Sequence, residues 1–99
     1  MNSMAERVLS SKEMKELFEA ILKLETADEC KKLFRDLCTL SELEAMSERL
    51  QVAKRVFAGE TYREINKKTG CSTATITRVA HWLHHGMGGY KLVLQRMQR

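Results

Sequence analysis

Residues 61–85 constrain this chain more than any other stretch. They run Thr-Tyr-Arg-Glu-Ile-Asn-Lys-Lys-Thr-Gly-Cys-Ser-Thr-Ala-Thr-Ile-Thr-Arg-Val-Ala-His-Trp-Leu-His-His. Thr61 followed three residues later by Glu64 is a capping box, in which each side chain satisfies a free backbone N–H of the first helical turn. Gly70 ends that helix, because a sharp corner needs a residue that tolerates positive φ. Ser72 is placed to cap a second helix, which Ala74, Thr75, Ile76, Arg78 and Val79 carry towards His85. Ile65, Thr69, Cys71, Ile76 and Val79 fall where two crossed helices must touch. Ser72, Thr73, Ala74, Thr77, Arg78 and His81 then face outward. The pattern is that of a helix-turn-helix.

The outward set suits a nucleic-acid groove. Ser and Thr hydroxyls bond a phosphate or a base edge. Ala and the Thr methyl pack on a thymine methyl, and Arg bonds guanine or phosphate with two donors. Small residues in the first turn let the helix lie close to the groove floor. The rival reading is a plain helical hairpin with a polar face. The glycine corner, the spaced apolar positions and the local charge weigh against it.

Charge distribution matters more here than the net +4. Residues 1–58 hold 10 Lys and Arg against 11 Asp and Glu, whereas residues 59–99 hold 7 against 2. The basic excess sits with the turn motif, where cations would neutralise phosphates and release counterions. The 99 residues are enough for one helical domain and too few for two. The start of the chain is polar, so no signal peptide is expected, and no apolar run has the length of a membrane span. Cys30, Cys38 and Cys71 are odd in number and lack metal-type spacing. They fall at apolar-phase positions, as small packed side chains of a reduced, cytoplasmic protein would.

Along the chain, residues 1–9 read as a loose start. Ser10 with Glu13 signals a first helix striped by Met14, Leu17, Phe18, Ile21 and Leu22. Thr26 with Glu29 opens a second, striped by Cys30, Leu33, Phe34 and Leu37. Ser41 with Glu44 opens a third, with Leu43, Met46, Leu50, Ala53 and Phe57, closed by Gly59. Gly86, Gly88 and Gly89 separate the turn motif from a last helix over residues 90–98. No segment alternates with period two. The expected fold is all-α, with about six helices and no sheet: dimerisation helices over 10–58, a helix-turn-helix over 61–85 and a C-terminal helix. The apolar stripes of residues 10–58 are generous for a monomer, which predicts a homodimer. A two-fold pair presents two reading helices about 34–36 Å apart, one duplex turn, and so matches a palindrome.

From Leu37 to His85 the chain resembles the Trp repressor family, and within it the YerC/YecD branch. The matching residues are Leu43-Glu44-Ala45-Met46 with Arg49, then Gly59-Glu60, and above all Ala74-Thr75-Ile76-Thr77-Arg78. The resemblance implies an intertwined six-helix homodimer that regulates transcription. It also implies an effector pocket: Arg49 and Arg78 match the two arginines that hold tryptophan in the Trp repressor, and Thr39 matches a threonine lining that site. Next to Arg78 the Trp repressor has a glycine where the indole enters. This chain has Val79, whose branched side chain fills that space, and the turn is one residue shorter. Tryptophan is therefore not expected as co-repressor, and no cofactor is assigned. Arg49 has a second reading, as a helix-face charge paired with Glu42, Glu44 or Glu48. Asn66 stands where most such motifs carry a small residue and asks for a looser helix crossing.

The expected DNA-binding set is Arg63, Lys67, Lys68, Ser72, Thr73, Ala74, Thr75, Thr77, Arg78 and His81, with the helix over 73–84 reading an operator. Arg63, Lys67, Lys68 and Ser72 would anchor phosphates, with Thr73, Ala74, Thr75 and Thr77 at the bases. Lys67 and Lys68 also suit the negative end of a helix dipole. His81, His84 and His85 are spaced for a shared metal, but no carboxylate or Cys completes a shell, and no metal site is assigned. Trp82 and Leu83 read as core at the joint between the recognition helix and the dimer body, and Met46 and Met87 read as packing. No nucleophile stands beside a base and no phosphate loop is present, so no enzyme is expected. The alternative is a helical interaction module of the transcription machinery that does not itself read DNA.

Overall fold

A computed structural model describes residues 3–99, and among them all regular structure is helical. Seven helices occur in order: α1 Met4–Leu9, α2 Lys12–Ile21, α3 Ala27–Leu37, α4 Leu40–Phe57, α5 Tyr62–Thr69, α6 Thr73–His85 and α7 Gly89–Met97. The chain divides into two units, Met1–Thr39 and Leu40–Arg99.

In the first unit, the stretch expected to be loose contains a helix. Ser3 caps α1 by accepting from the Glu6 N–H at 3.1 Å, and Glu6 accepts from the Ser3 N–H at 3.3 Å. This capping box was legible in Ser-Met-Ala-Glu, but α1 lacks the apolar stripe that marked its neighbours. Met1 and Asn2, the rest of that expected loose start, lie outside the described residues. The cap of α2 is Ser11 rather than Ser10: Ser11 Oγ accepts from the Met14 N–H at 3.1 Å, while Ser10 closes α1. Thr26 caps α3 through the Glu29 N–H at 3.1 Å, and the Glu29 carboxylate accepts from the Glu25 N–H at 2.9 Å. Each such cap contributes about 1 kcal/mol to its helix. None of α1, α2 or α3 has a buried residue. Phe18, Leu22 and Leu37 are exposed, and Met14, Leu17, Ile21, Leu33 and Phe34 are only half-covered. Cys30 is exposed and Cys38 half-buried, against the expectation of packed thiols; all three cysteines, Cys71 included, are unbridged.

The second unit holds the core. α4 packs on α6, α5 and α7, most extensively on α6. It begins at Leu40, so Ser41 lies inside the helix and not at its start. Val52 and Ala53 of α4 meet Ile65 of α5, Ile76, Val79 and Leu83 of α6 and Leu94 of α7. Leu50, Val56, Phe57, Cys71 and Tyr90 flank this cluster. The crossing residues expected from the sequence are thus inside, with Thr69 and Cys71 at the margin.

Trp82 lies outside the core of the single chain, where it is 56% exposed. The buried arc of α6 is Val79, Leu83, Ile76 and Ala80. At roughly 100° per residue Trp82 falls about 60° beyond that arc. Met46 and Met87, also expected to pack, are exposed at 39% and 92%. No helix among the described residues is long and apolar enough to cross a membrane.

Candidate nucleic-acid interface

The turn is built by local hydrogen bonds. Thr61 Oγ1 accepts from the Glu64 N–H at 3.2 Å, and the Glu64 carboxylate accepts from the Thr61 N–H at 3.0 Å. Gly70 has φ 75°, and its N–H closes α5 on the Asn66 carbonyl at 2.9 Å. A side chain in this left-handed region costs roughly 1–2 kcal/mol. Thr69 Oγ1 donates to the Ile65 carbonyl at 2.6 Å and accepts from the Cys71 N–H at 3.1 Å. Asn66 is exposed, and its Nδ2 donates to the Cys71 carbonyl at 2.6 Å, tying the end of α5 to the far side of the corner.

Ser72 caps α6 through the Thr75 N–H at 3.2 Å and also donates its hydroxyl to Thr75 Oγ1 at 3.1 Å. These two hydroxyls serve the cap, and Thr75 is half-buried. Thr73, Ala74, Thr77, Arg78 and His81 are all exposed and share one face of α6. The helix carries no Asp or Glu. Nothing on that face repels a phosphate. Arg63 and Lys67 are exposed on α5, with Lys67 and Lys68 in its last turn.

The sequence did not reveal the partner of Lys68. Its Nζ lies 2.9 Å from Glu60 Oε1, and Arg55 Nη1 reaches the same oxygen at 3.3 Å. Glu60 thus joins the end of α4 to the end of α5. The hydrogen bond from Lys68 is the largest influence on the Glu60 carboxyl; with the Lys68 charge and the hydrogen bond and charge of Arg55 it outweighs the opposing desolvation and holds the carboxyl below its ordinary range. Lys68 therefore meets a phosphate only by sharing its ammonium with Glu60. The matching Gly59-Glu60 pair gave a sequence signal, but the distant cations could not be paired to it by spacing.

The expected effector residues are dispersed differently. Arg49 lines an apolar cleft of about 540 Å³ with Met46, Leu50, Trp82, Met87, Tyr90 and Val93. Arg78 is on the outward face of α6 and is not a wall of that cleft. Thr39 closes the first unit. Val79 is 3% exposed, its side chain seated in the core.

Comparison with known proteins agrees with this architecture. The sequence profile of the family described as Trp repressor protein matches residues 12–98. YerC, an uncharacterized protein of Bacillus subtilis (strain 168), is 42% identical over 90 residues, which cover 91% of this chain and 86% of YerC. A solved structure of a TrpR-like protein from Eubacterium eligens ATCC 27750 superposes with a TM-score of 0.88 at 41% identity, covering 93% of this chain and 95% of that one. A solved candidate Trp repressor from Staphylococcus aureus superposes with a TM-score of 0.89 at 46% identity, covering 97% and 96%. The chain therefore belongs to the Trp repressor family, in the branch that contains YerC.

Proposed function

We propose that the chain is a transcription regulator, acting as a repressor, that reads a palindromic DNA operator as a homodimer with α6 in the major groove. The observation that carries this reading is the outward face of α6: Thr73, Ala74, Thr77, Arg78 and His81 are exposed together on a capped helix without an acidic residue. Arg63 and Lys67 flank it with free-standing positive charge for the backbone. The case for a homodimer rests on the first unit. Its two helices with apolar stripes, α2 and α3, have no buried residue and need a second surface to cover them. A two-fold pair supplies that surface and spaces the two reading helices by one duplex turn.

The protein works in the cytoplasm, without catalysis, and without tryptophan as co-repressor. This reading is supported by the burial of Val79, where the resemblance puts the entry of the indole ring, and by the absence of Arg78 from the walls of the cleft beside Arg49. Selection of bound fragments from random duplex DNA, with and without tryptophan, tests these statements together. A palindromic consensus that is the same in both arms is the expected result. Failure to retain any duplex at low salt refutes DNA reading and favours the interaction module instead. A consensus recovered only with tryptophan refutes the co-repressor statement alone.

A further inference from the structure

The far end of α6 carries chemistry that the proposed DNA contacts use only in part, since His81 belongs to the reading face and His85 does not. His81 and His85 stand one helical turn apart on the outward face, and both are exposed. Their ring centres are 5.3 Å apart, with the ring planes inclined at 44°. A tetrahedral ion that takes two imidazole nitrogens at roughly 2.0–2.1 Å sets the ring centres about 5 Å apart. The pair already has that separation, so ring rotation alone is needed and the backbone stays where it is. Neutral imidazole suits zinc, copper and nickel, and exposed rings are not held by a competing partner.

Among the described residues no group of three or more His, Cys, Asp or Glu is placed to hold a metal. The site is therefore an open pair. Its other coordination positions go to water or to an oxygen or nitrogen brought by a ligand. His84 lies 6.4 Å from His85, farther than one tetrahedral centre spans, and is not needed.

We propose that His81 and His85 bind one divalent transition-metal ion of the copper and zinc class on the outward face of α6. The ion adds positive charge beside Thr77 and Arg78, so its occupancy tunes operator affinity; that second step rests on the DNA reading above. The chain has a single tryptophan, and the Trp82 ring lies 5.2 Å from His81, edge to face. Trp82 emission therefore reports an ion at this pair directly.

The test is a fluorescence titration of the full chain with copper(II) alone, without DNA, followed by removal of the ion with a chelator. Saturable quenching at one ion per chain, reversed by the chelator, is expected. His81→Asn and His85→Asn should each weaken it about tenfold or more, since even outer-shell losses reach that size. His84→Asn should leave it unchanged, and circular dichroism should show all three variants folded. Quenching that does not saturate, or that survives in both His81→Asn and His85→Asn, overturns the site. Gel shifts with and without zinc separate the two steps. A zinc-dependent change in operator affinity that is lost in His85→Asn supports the coupling. Copper binding with no such change overturns the coupling and leaves the site. Absence of operator binding in both arms counts against the DNA reading itself.

Discussion

Gly70→Ala isolates the backbone contribution of the corner. Gly70 sits at φ 75°, and an added Cβ would meet nothing within 4 Å. The cost is therefore conformational and not steric. Placing an L side chain in the left-handed region costs roughly 1–2 kcal/mol. Alanine also restricts the unfolded chain, which offsets about 0.4–1 kcal/mol of that. From the midpoints of those ranges the net destabilisation expected is about 0.8 kcal/mol, a fall of a few degrees in melting temperature. Gly70→Asn should lose less, because Asn visits this region more readily. Urea unfolding at one fixed protein concentration is the assay, since an associating chain has concentration-dependent stability. The midpoint should fall with an unchanged m-value. A Gly70→Ala variant as stable as the parent would refute the argument from φ. A loss of about 4 kcal/mol would refute it too, because it would require a clash that the open space at Gly70 excludes.

Thr73→Ala and Thr77→Ala should each relax operator preference at one position, at about 1–3 kcal/mol, measured by competition among single-base operator variants. Arg63→Ala and Lys67→Ala should weaken binding to all sequences alike and lower the slope of log affinity against log salt by about one each. Phe18→Arg should dissociate the proposed homodimer, because Phe18 is 46% exposed on a helix with no buried residue; sedimentation should then give a mass near 11.4 kDa. Glu60→Gln should remove part of the acid sensitivity of the fold. The Glu60 carboxyl ionises below its ordinary 4.5 in the folded chain, so its contribution is full above that value and is lost as pH falls through the depressed range. An acid unfolding profile unchanged by Glu60→Gln would show that the links from Lys68 and Arg55 contribute nothing.

What the sequence determined by itself lies within about four residues. The Thr61–Glu64 box, the Gly70 corner and the Ser72 cap are each made by neighbours in the chain, and their residue types announce them. The buried arc of α6 follows from the same short-range periodicity, and so does the exposure of Thr73, Thr77 and His81 opposite it. Helix α1 was missed although it has the same kind of box, because it is too short to show a stripe.

Only the tertiary structure decided which groups meet across elements. The bond from Asn66 to the Cys71 carbonyl depends on the angle of the corner, and the bridge from Lys68 to Glu60 depends on how α5 returns towards the end of α4. Neither distance is contained in a helical period. The exposure of Trp82 has the same origin. An indole three residues after a core valine reads as buried until the packing of α4 on α6 leaves it outside the covered arc. Local hydrogen bonding writes the elements into the chain, but long-range packing selects which of their faces remain open to a ligand.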